Sequence, residues 1–273
     1  MLGLALALQF AAVAGPAGAS QFADLPGSPD LRSASAVIMD GDGNLIYAKD
    51  ADSVRPIASI TKLMTAMVTL DGGLDLHAPV TVTREDRDLV QLTGSRLGYG
   101  ATLTRREMLL LAIMSSENRA AAALGRTWPG GTEAFVQQMN LKAAQLGLHN
   151  THFADPAGLR VENRSTARDL AALLMAAERY ELIREASTTQ RLEVRPWKDR
   201  GPLTYGNTNR LLKNPSWDIQ LSKTGYLNEA GRCLVMRALI DDEPIFIVLL
   251  DSFGKLTPFG DSNRLRRWMT AGR

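Results

Sequence analysis

The chain has 273 residues, 45% hydrophobic and 22% charged, the composition of a globular protein with room for one large domain or two small ones and not of a disordered or fibrous one. A net charge of +2 is too mild for an electrostatic binder of nucleic acid. The lone Cys233 excludes an intrachain disulfide framework, though not an oxidising compartment, because a domain this large needs no covalent staples.

Residues 1–19, MLGLALALQFAAVAGPAGA, carry no charged side chain, run apolar from Leu2 to Val13 and end in Ala17-Gly18-Ala19. They read as a cleavable export signal, too short to span a bilayer. The usual basic residue near the start is missing, the first being Arg32, so a buried amino-terminal helix is the alternative. Residues 20–35 hold Pro, Gly and Ser and read as a linker. Ala36–Met39 and Asn44–Ala48 flank DGDG, a hairpin signature. A helix is predicted from near Ser59, with Ile60, Leu63, Met64, Met67 and Val68 on one face and Asp71-Gly72-Gly73 as its end.

Thr104 and Glu107 make a capping box for REMLLLAIM. That helix breaks at SSEN before RAAAALGR. Thr132 is expected to cap a helix ending at Gly147, and Thr166 with Asp169 to open ARDLAALLMAAERY. Three strand-like runs follow, around Ile219–Tyr226, Cys233–Ile240 and Ile245–Leu250, with DDEP turning between the last two. DSNRLRRWM reads as a closing basic helix. The order predicts an α/β (α+β) fold: residues 36–273 as one domain, an antiparallel sheet drawn from 36–58 and about 190–273, and a helical part over about 74–185 inserted between.

Chemistry concentrates in three places. Ser59-x-x-Lys62 stands at the start of a helix, and a serine needs a base within reach to act as a nucleophile. Taken alone the pair is weak, since two fixed positions recur by chance and Ser252-x-x-Lys255 is a second copy. Its bland reading is a helix-start serine with a lysine on the polar flank. Company changes the weighing: Ser116-Glu117-Asn118 sits at a helix break and Lys223-Thr224-Gly225 on a strand.

With these motifs the sequence resembles the low-molecular-mass penicillin-binding proteins, serine D,D-peptidases of the β-lactamase-like fold marked by Ser-x-x-Lys, Ser-x-Asn and Lys-Thr-Gly. The likeness runs through RPIASITKLMTAMV, SSENRAAAAL, THFADPAGL, STARDLA, NTNRLL and SKTGYLNEAGRCLV. It is strongest to short D-alanyl-D-alanine endopeptidases of the penicillin-binding protein 7 type, which lack the extra β-domain and amphipathic carboxyl-terminal anchor. The resemblance implies a periplasmic enzyme without a stable membrane anchor, acting on peptidoglycan stem peptides through an acyl-serine and inhibited by β-lactams. No cofactor, metal or nucleic acid is expected.

Carried onto this chain, the family's roles make Ser59 the nucleophile, Lys62 its base and Ser116 the proton relay to the leaving amine. Asn118 would hold the substrate amide, and Lys223 and Thr224 the carboxylate beside the scissile bond. Gly225 would admit the substrate backbone, and the N–H groups of Ser59 and Tyr226 would form the oxyanion hole. A free lysine is protonated at neutral pH, so Lys62 is expected to be buried and held neutral by the charge of Lys223.

Four further groups invite alternatives. His149-x-x-His152 suggests a metal pair but lacks a third ligand at suitable spacing. Glu162 stands where a deacylating glutamate would make a β-lactamase. Glu117 is read as structural. Arg264, Arg266 and Arg267 read as a solvated face or a murein contact. The readings to separate are endopeptidase, carboxypeptidase, β-lactamase and a penicillin-binding sensor without turnover.

Overall fold

A computed structural model describes residues 20–271; the export signal read over residues 1–19 lies outside them. The hairpin forms as expected from β1 (Ser35–Asp40) and β2 (Leu45–Lys49), with Gly43 at a φ of 87° and the Asp40 carboxylate accepting the N–H groups of Asp42 and Asn44. After the short β3 (Arg55–Pro56), a 3-10 turn over Ala58–Ile60 leads into α1 (Thr61–Asp71). The ribbon β4 (Pro79–Thr81) with β5 (Thr102–Thr104) precedes α2 (Arg105–Met114), α3 (Asn118–Arg126) and α4 (Gly131–Gln145). The predicted capping box is present: Thr104 and Glu107 each bond the other's backbone N–H.

The expected Thr132 cap is replaced by Gly130, whose φ of 86° makes the entry turn and which offers no side-chain cap, so α4 starts two residues earlier. Next come β6 (Arg164–Ser165), paired with β3, and α5 (Ala167–Glu178), capped as predicted by Thr166 on the N–H of Asp169. α6 (Glu181–Thr188), which the sequence reading lacked, follows almost without a break. β7 (Arg191–Val194) and β8 (Leu203–Gly206) form a ribbon of their own rather than joining the main sheet. β9 (Asp218–Leu227), β10 (Gly231–Ile240) and β11 (Glu243–Ser252) then run antiparallel, and α7 (Thr257–Thr270) closes the described residues, beginning four positions before the predicted basic helix.

The main sheet has the order β2-β1-β11-β10-β9. β1 lies against β11 in register Val37↔Val248, so the sheet is assembled from both ends of the chain, as expected. Both faces are covered, which is why its strands are almost continuously apolar. On one face Ile38, Met236 and Ile247 pack with Leu265 and Met269 of α7; on the other Val37, Val235 and Val248 join the helical core. Residues 20–35, read as a linker, belong to the first layer: Phe22 is fully buried there and Leu31 nearly so. α5 also packs on β1, β10 and β11, although the sequence reading placed it in the inserted helical part.

Candidate active site

Ser59 sits in the tight 3-10 turn, two residues before α1 proper, and not on its first turn as the sequence suggested. The turn needs a left-handed backbone at Ala58, with φ of 48°, and is braced from outside. Gly158, itself at φ 74°, lies so close that an added Cβ would stand 2.1 Å from the Ala58 carbonyl oxygen. The resulting geometry puts Lys62 directly behind the hydroxyl. Its Nζ donates to Ser59 Oγ at 2.8 Å, Asn118 Oδ1 at 2.8 Å and the Ala157 carbonyl at 2.6 Å.

Ser116 and Asn118 are delivered by the break between α2 and α3. Ser116 adopts a φ of 59°, an uncommon conformation for a serine. Glu117 holds the break together as the N-cap of α3, accepting from the N–H of Arg119 at 2.9 Å and from Ser95 Oγ at 2.8 Å, which is the structural role expected of it. β9 forms the opposite wall as the edge strand of the sheet. Lys223 Nζ donates to Ser116 Oγ at 2.9 Å and to the Thr224 carbonyl at 2.9 Å, and Thr224 Oγ1 donates to Thr208 at 2.7 Å. Gly225 is required by proximity: a Cβ there would lie 3.0 Å from the Ile57 carbonyl oxygen and 3.2 Å from the Ser59 nitrogen. The three motifs therefore meet, opening on a cleft of about 270 Å³ lined by Ser59, Ser116, Asn118, Thr224, Gly225 and Tyr226 among others.

Both lysines are buried, at 0% and 1% exposure. Burial pushes Lys62 down to about 8, against the upward pull of Asp155, Glu117 and Asp88. Burial also lowers Lys223 well below its ordinary value, and the Lys62 ammonium lowers it further. Burial thus acts against the charge on both amines, and the two ammonium groups disfavour each other across the site. At about 8, moreover, Lys62 stays mostly protonated at neutral pH.

Several contributors carried no signal in the sequence. Asn118 Nδ2 donates to Thr93 Oγ1 at 2.9 Å, and Thr93 passes its own hydroxyl proton to Asp88 at 2.6 Å. Because that proton is committed, Thr93 can only accept from Asn118, which keeps the amide oxygen turned to Lys62. Asp155 gathers the N–H groups of Ala157, Gly158, Leu159 and Arg160, fixing the carbonyl that Lys62 uses. In the sequence that loop is marked by the stretch THFADPAGL, with nothing to show what Asp155 does within it.

Other candidates fall elsewhere. Ser252 is buried against Ser33 Oγ at 2.7 Å, so the second Ser-x-x-Lys offers no free hydroxyl. Glu162 is exposed and does not line the cleft. The His152 backbone pairs with Arg164, and among the described residues no group of three His, Cys, Asp or Glu is placed to hold a metal. Of the arginines read as a solvated face, Arg264 pairs with the buried Asp261 and Arg266 lies over Trp217 at 6.0 Å, leaving Arg267 exposed. No helix among the described residues is long and apolar enough to cross a membrane.

Residues 23–254 match the profile of a peptidase family described as D-alanyl-D-alanine carboxypeptidase. The chain is 48% identical over 251 residues to a D-alanyl-D-alanine endopeptidase of Pseudomonas aeruginosa, covering 92% of this chain and 81% of the relative. It is 46% identical over 275 residues to the Escherichia coli D-alanyl-D-alanine endopeptidase, covering 100% and 87%. Among solved structures, the DD-transpeptidase of Streptomyces K15 superposes with a TM-score of 0.83 at 30% identity, over 90% of this chain and 99% of that one.

Proposed function

The chain belongs to the D-alanyl-D-alanine carboxypeptidase family of serine peptidases, and from that premise we propose that it cleaves D-alanyl cross-links between peptidoglycan stem peptides with Ser59 as nucleophile. Supporting this reading above all is the pair of contacts Lys62–Ser59 and Lys223–Ser116, which face each other across one cleft.

In the first step Ser59 Oγ attacks the D-alanyl carbonyl carbon and Lys62 takes the hydroxyl proton. The developing oxyanion is met by the N–H groups of Ser59 and Tyr226. The C–N bond then breaks, and the leaving amine receives through Ser116 the proton that Lys62 took, which returns Lys62 to its neutral form. Water later attacks the acyl-serine carbonyl as Lys62 accepts its proton, the ester C–O bond breaks, and Ser59 Oγ recovers that proton from Lys62 as the donor stem leaves. Asn118 holds the donor amide. Lys223 and Thr224 hold the carboxylate next to the scissile bond, a charge-assisted contact.

This last contact also answers how Lys62 becomes a base. An arriving carboxylate favours the ammonium on Lys223, and a charge there disfavours a second one on Lys62. The substrate thereby assigns one proton between two amines.

The same groups suit removal of a terminal D-alanine, the activity in the family's description; identity to the two endopeptidases favours cross-links. Residues 1–19, read as an export signal, support a periplasmic enzyme acting where peptidoglycan lies, and in this reading β-lactams acylate Ser59. Incubation with cross-linked muropeptides is expected to release monomers, and labelled penicillin to leave an adduct on Ser59 in the wild type but not in Ser59→Ala. A wild-type protein that binds penicillin and leaves dimers intact overturns the peptidase reading in favour of a sensor.

A further inference from the structure

The cleft extends beyond the Lys-Thr-Gly strand, and its outer part is lined by Arg210, Arg232 and Lys255 and by no Asp or Glu. These cations come from three different places: a 3-10 turn over Arg210–Lys213, β10, and the connection from β11 to α7. Among the described residues none of them forms an ion pair. Arg232 instead stacks on the ring of Tyr226, 3.6 Å from its centroid. Asp251, on the strand beside β10, is engaged by Arg55 at 2.7 Å. Phe253 and Leu256, flanking Lys255, stand exposed to solvent.

Like charges collected in a cleft without counter-ions repel one another and focus a positive potential on whatever enters. A single carboxylate does not account for the collection, since in the reading above Lys223 and Thr224 already take the one beside the scissile bond. The two reactions differ in what leaves. A terminal D-alanine carries only that carboxylate. The leaving half of a cross-link is a stem peptide with further carboxylates, on its isoglutamyl residue and at its own carboxyl end.

We infer that Arg210, Arg232 and Lys255 form an acceptor-side subsite that holds these additional carboxylates and so favours cross-linked stems over free-ended ones. The inference rests on the peptidase reading and adds the basis of its preference. With Arg210 and Lys255 exposed and Arg232 half-buried under Tyr226, each contact is modest and sensitive to salt.

The test compares kcat/KM for a D-alanyl-meso-diaminopimelate cross-linked dimer, the same dimer with its acceptor carboxylates amidated, and a monomeric pentapeptide. Arg210→Ala, Arg232→Ala and Lys255→Ala are each expected to lower the dimer-to-pentapeptide ratio about three- to tenfold. Arg210→Lys and Lys255→Arg should retain it. Amidation should lower the wild-type ratio by a similar factor and have little further effect in the alanine variants, and added salt should erode the preference. A ratio indifferent to the alanine substitutions and to amidation, in an enzyme that does cleave the dimer, overturns the subsite alone. A wild-type enzyme that cleaves pentapeptide but no dimer overturns both the subsite and the endopeptidase reading.

Discussion

At the scale of single residues, the unusual feature is an amine buried to 0% exposure with three hydrogen-bond acceptors around it. With Lys62 brought down to about 8 and proposed as the base, kcat/KM is expected to rise through about that pH as Lys62 loses its proton, which a pH-rate profile measures. Stability carries the same signature. The unfolded chain, with lysine near its ordinary value, binds more protons than the folded one between pH 8 and 10.5, so this group's contribution grows with pH across that window. Compared with Lys62→Met, the wild type should gain stability as pH rises between those limits in denaturant titrations, and a flat difference would count against the burial argument.

Thr93→Val leaves the shape of the site and removes the acceptor that orients Asn118. We expect kcat to fall about tenfold with little change in melting temperature, and Thr93→Ser to restore most of it. The meeting of Ser59, Lys62 and Asn118 was legible in the sequence because their motifs keep fixed spacings on recognisable elements. Thr93, Asp88 and Thr208 were not, because a threonine or aspartate acquires such a role only from what the fold places beside it. The Ala157 carbonyl, being backbone, has no residue-type signature at all.

At the scale of elements, two glycines separate stability from chemistry. Gly158 backs the nucleophile turn from outside, and Gly158→Ala would force a Cβ to 2.1 Å from a backbone oxygen at an unfavourable φ. A loss of several kcal/mol is expected, read as a large drop in melting temperature. Gly225 faces the turn from the strand side, where the clash is milder, at 3.0 to 3.3 Å. Gly225→Ala should fold and yet be acylated by penicillin at least tenfold more slowly, since its Cβ crowds the Ser59 nitrogen. Helices with caps and apolar periodicity were read correctly, as α2 and α5 show. α6 was missed because it follows α5 directly, with no side-chain cap at Tyr180 and no glycine or proline to mark a boundary. The 3-10 turn at Ser59 escaped notice because its departure from a helix depends on the left-handed Ala58, a residue with no intrinsic preference for that conformation.

At the scale of the whole molecule, the sheet couples the two ends of the described chain. Composition alone made residues 20–35 a linker; a buried phenylalanine and a buried carboxylate make them part of the core. Asp261, fully buried on α7, accepts from the N–H groups of Arg32 and Ser33 and from Ser33 Oγ. Asp261→Ala leaves those donors unpaired, and a loss of about 3 kcal/mol is expected by chemical denaturation, with penicillin acylation intact at low temperature where the fold persists.

The pairing of β1 with β11 also governs when the enzyme first becomes competent. The proposed nucleophile Ser59 belongs to the first quarter of the sequence and the proposed carboxylate anchor Lys223 to the last, and the strand bearing Lys223 has no sheet to join until β10 and β11 have been made and have closed on β1. A partly synthesised chain is therefore hydrolytically silent. Peptide-bond cleavage thus waits on the last strands of the sheet, whatever the state of the residues that carry the nucleophile motif.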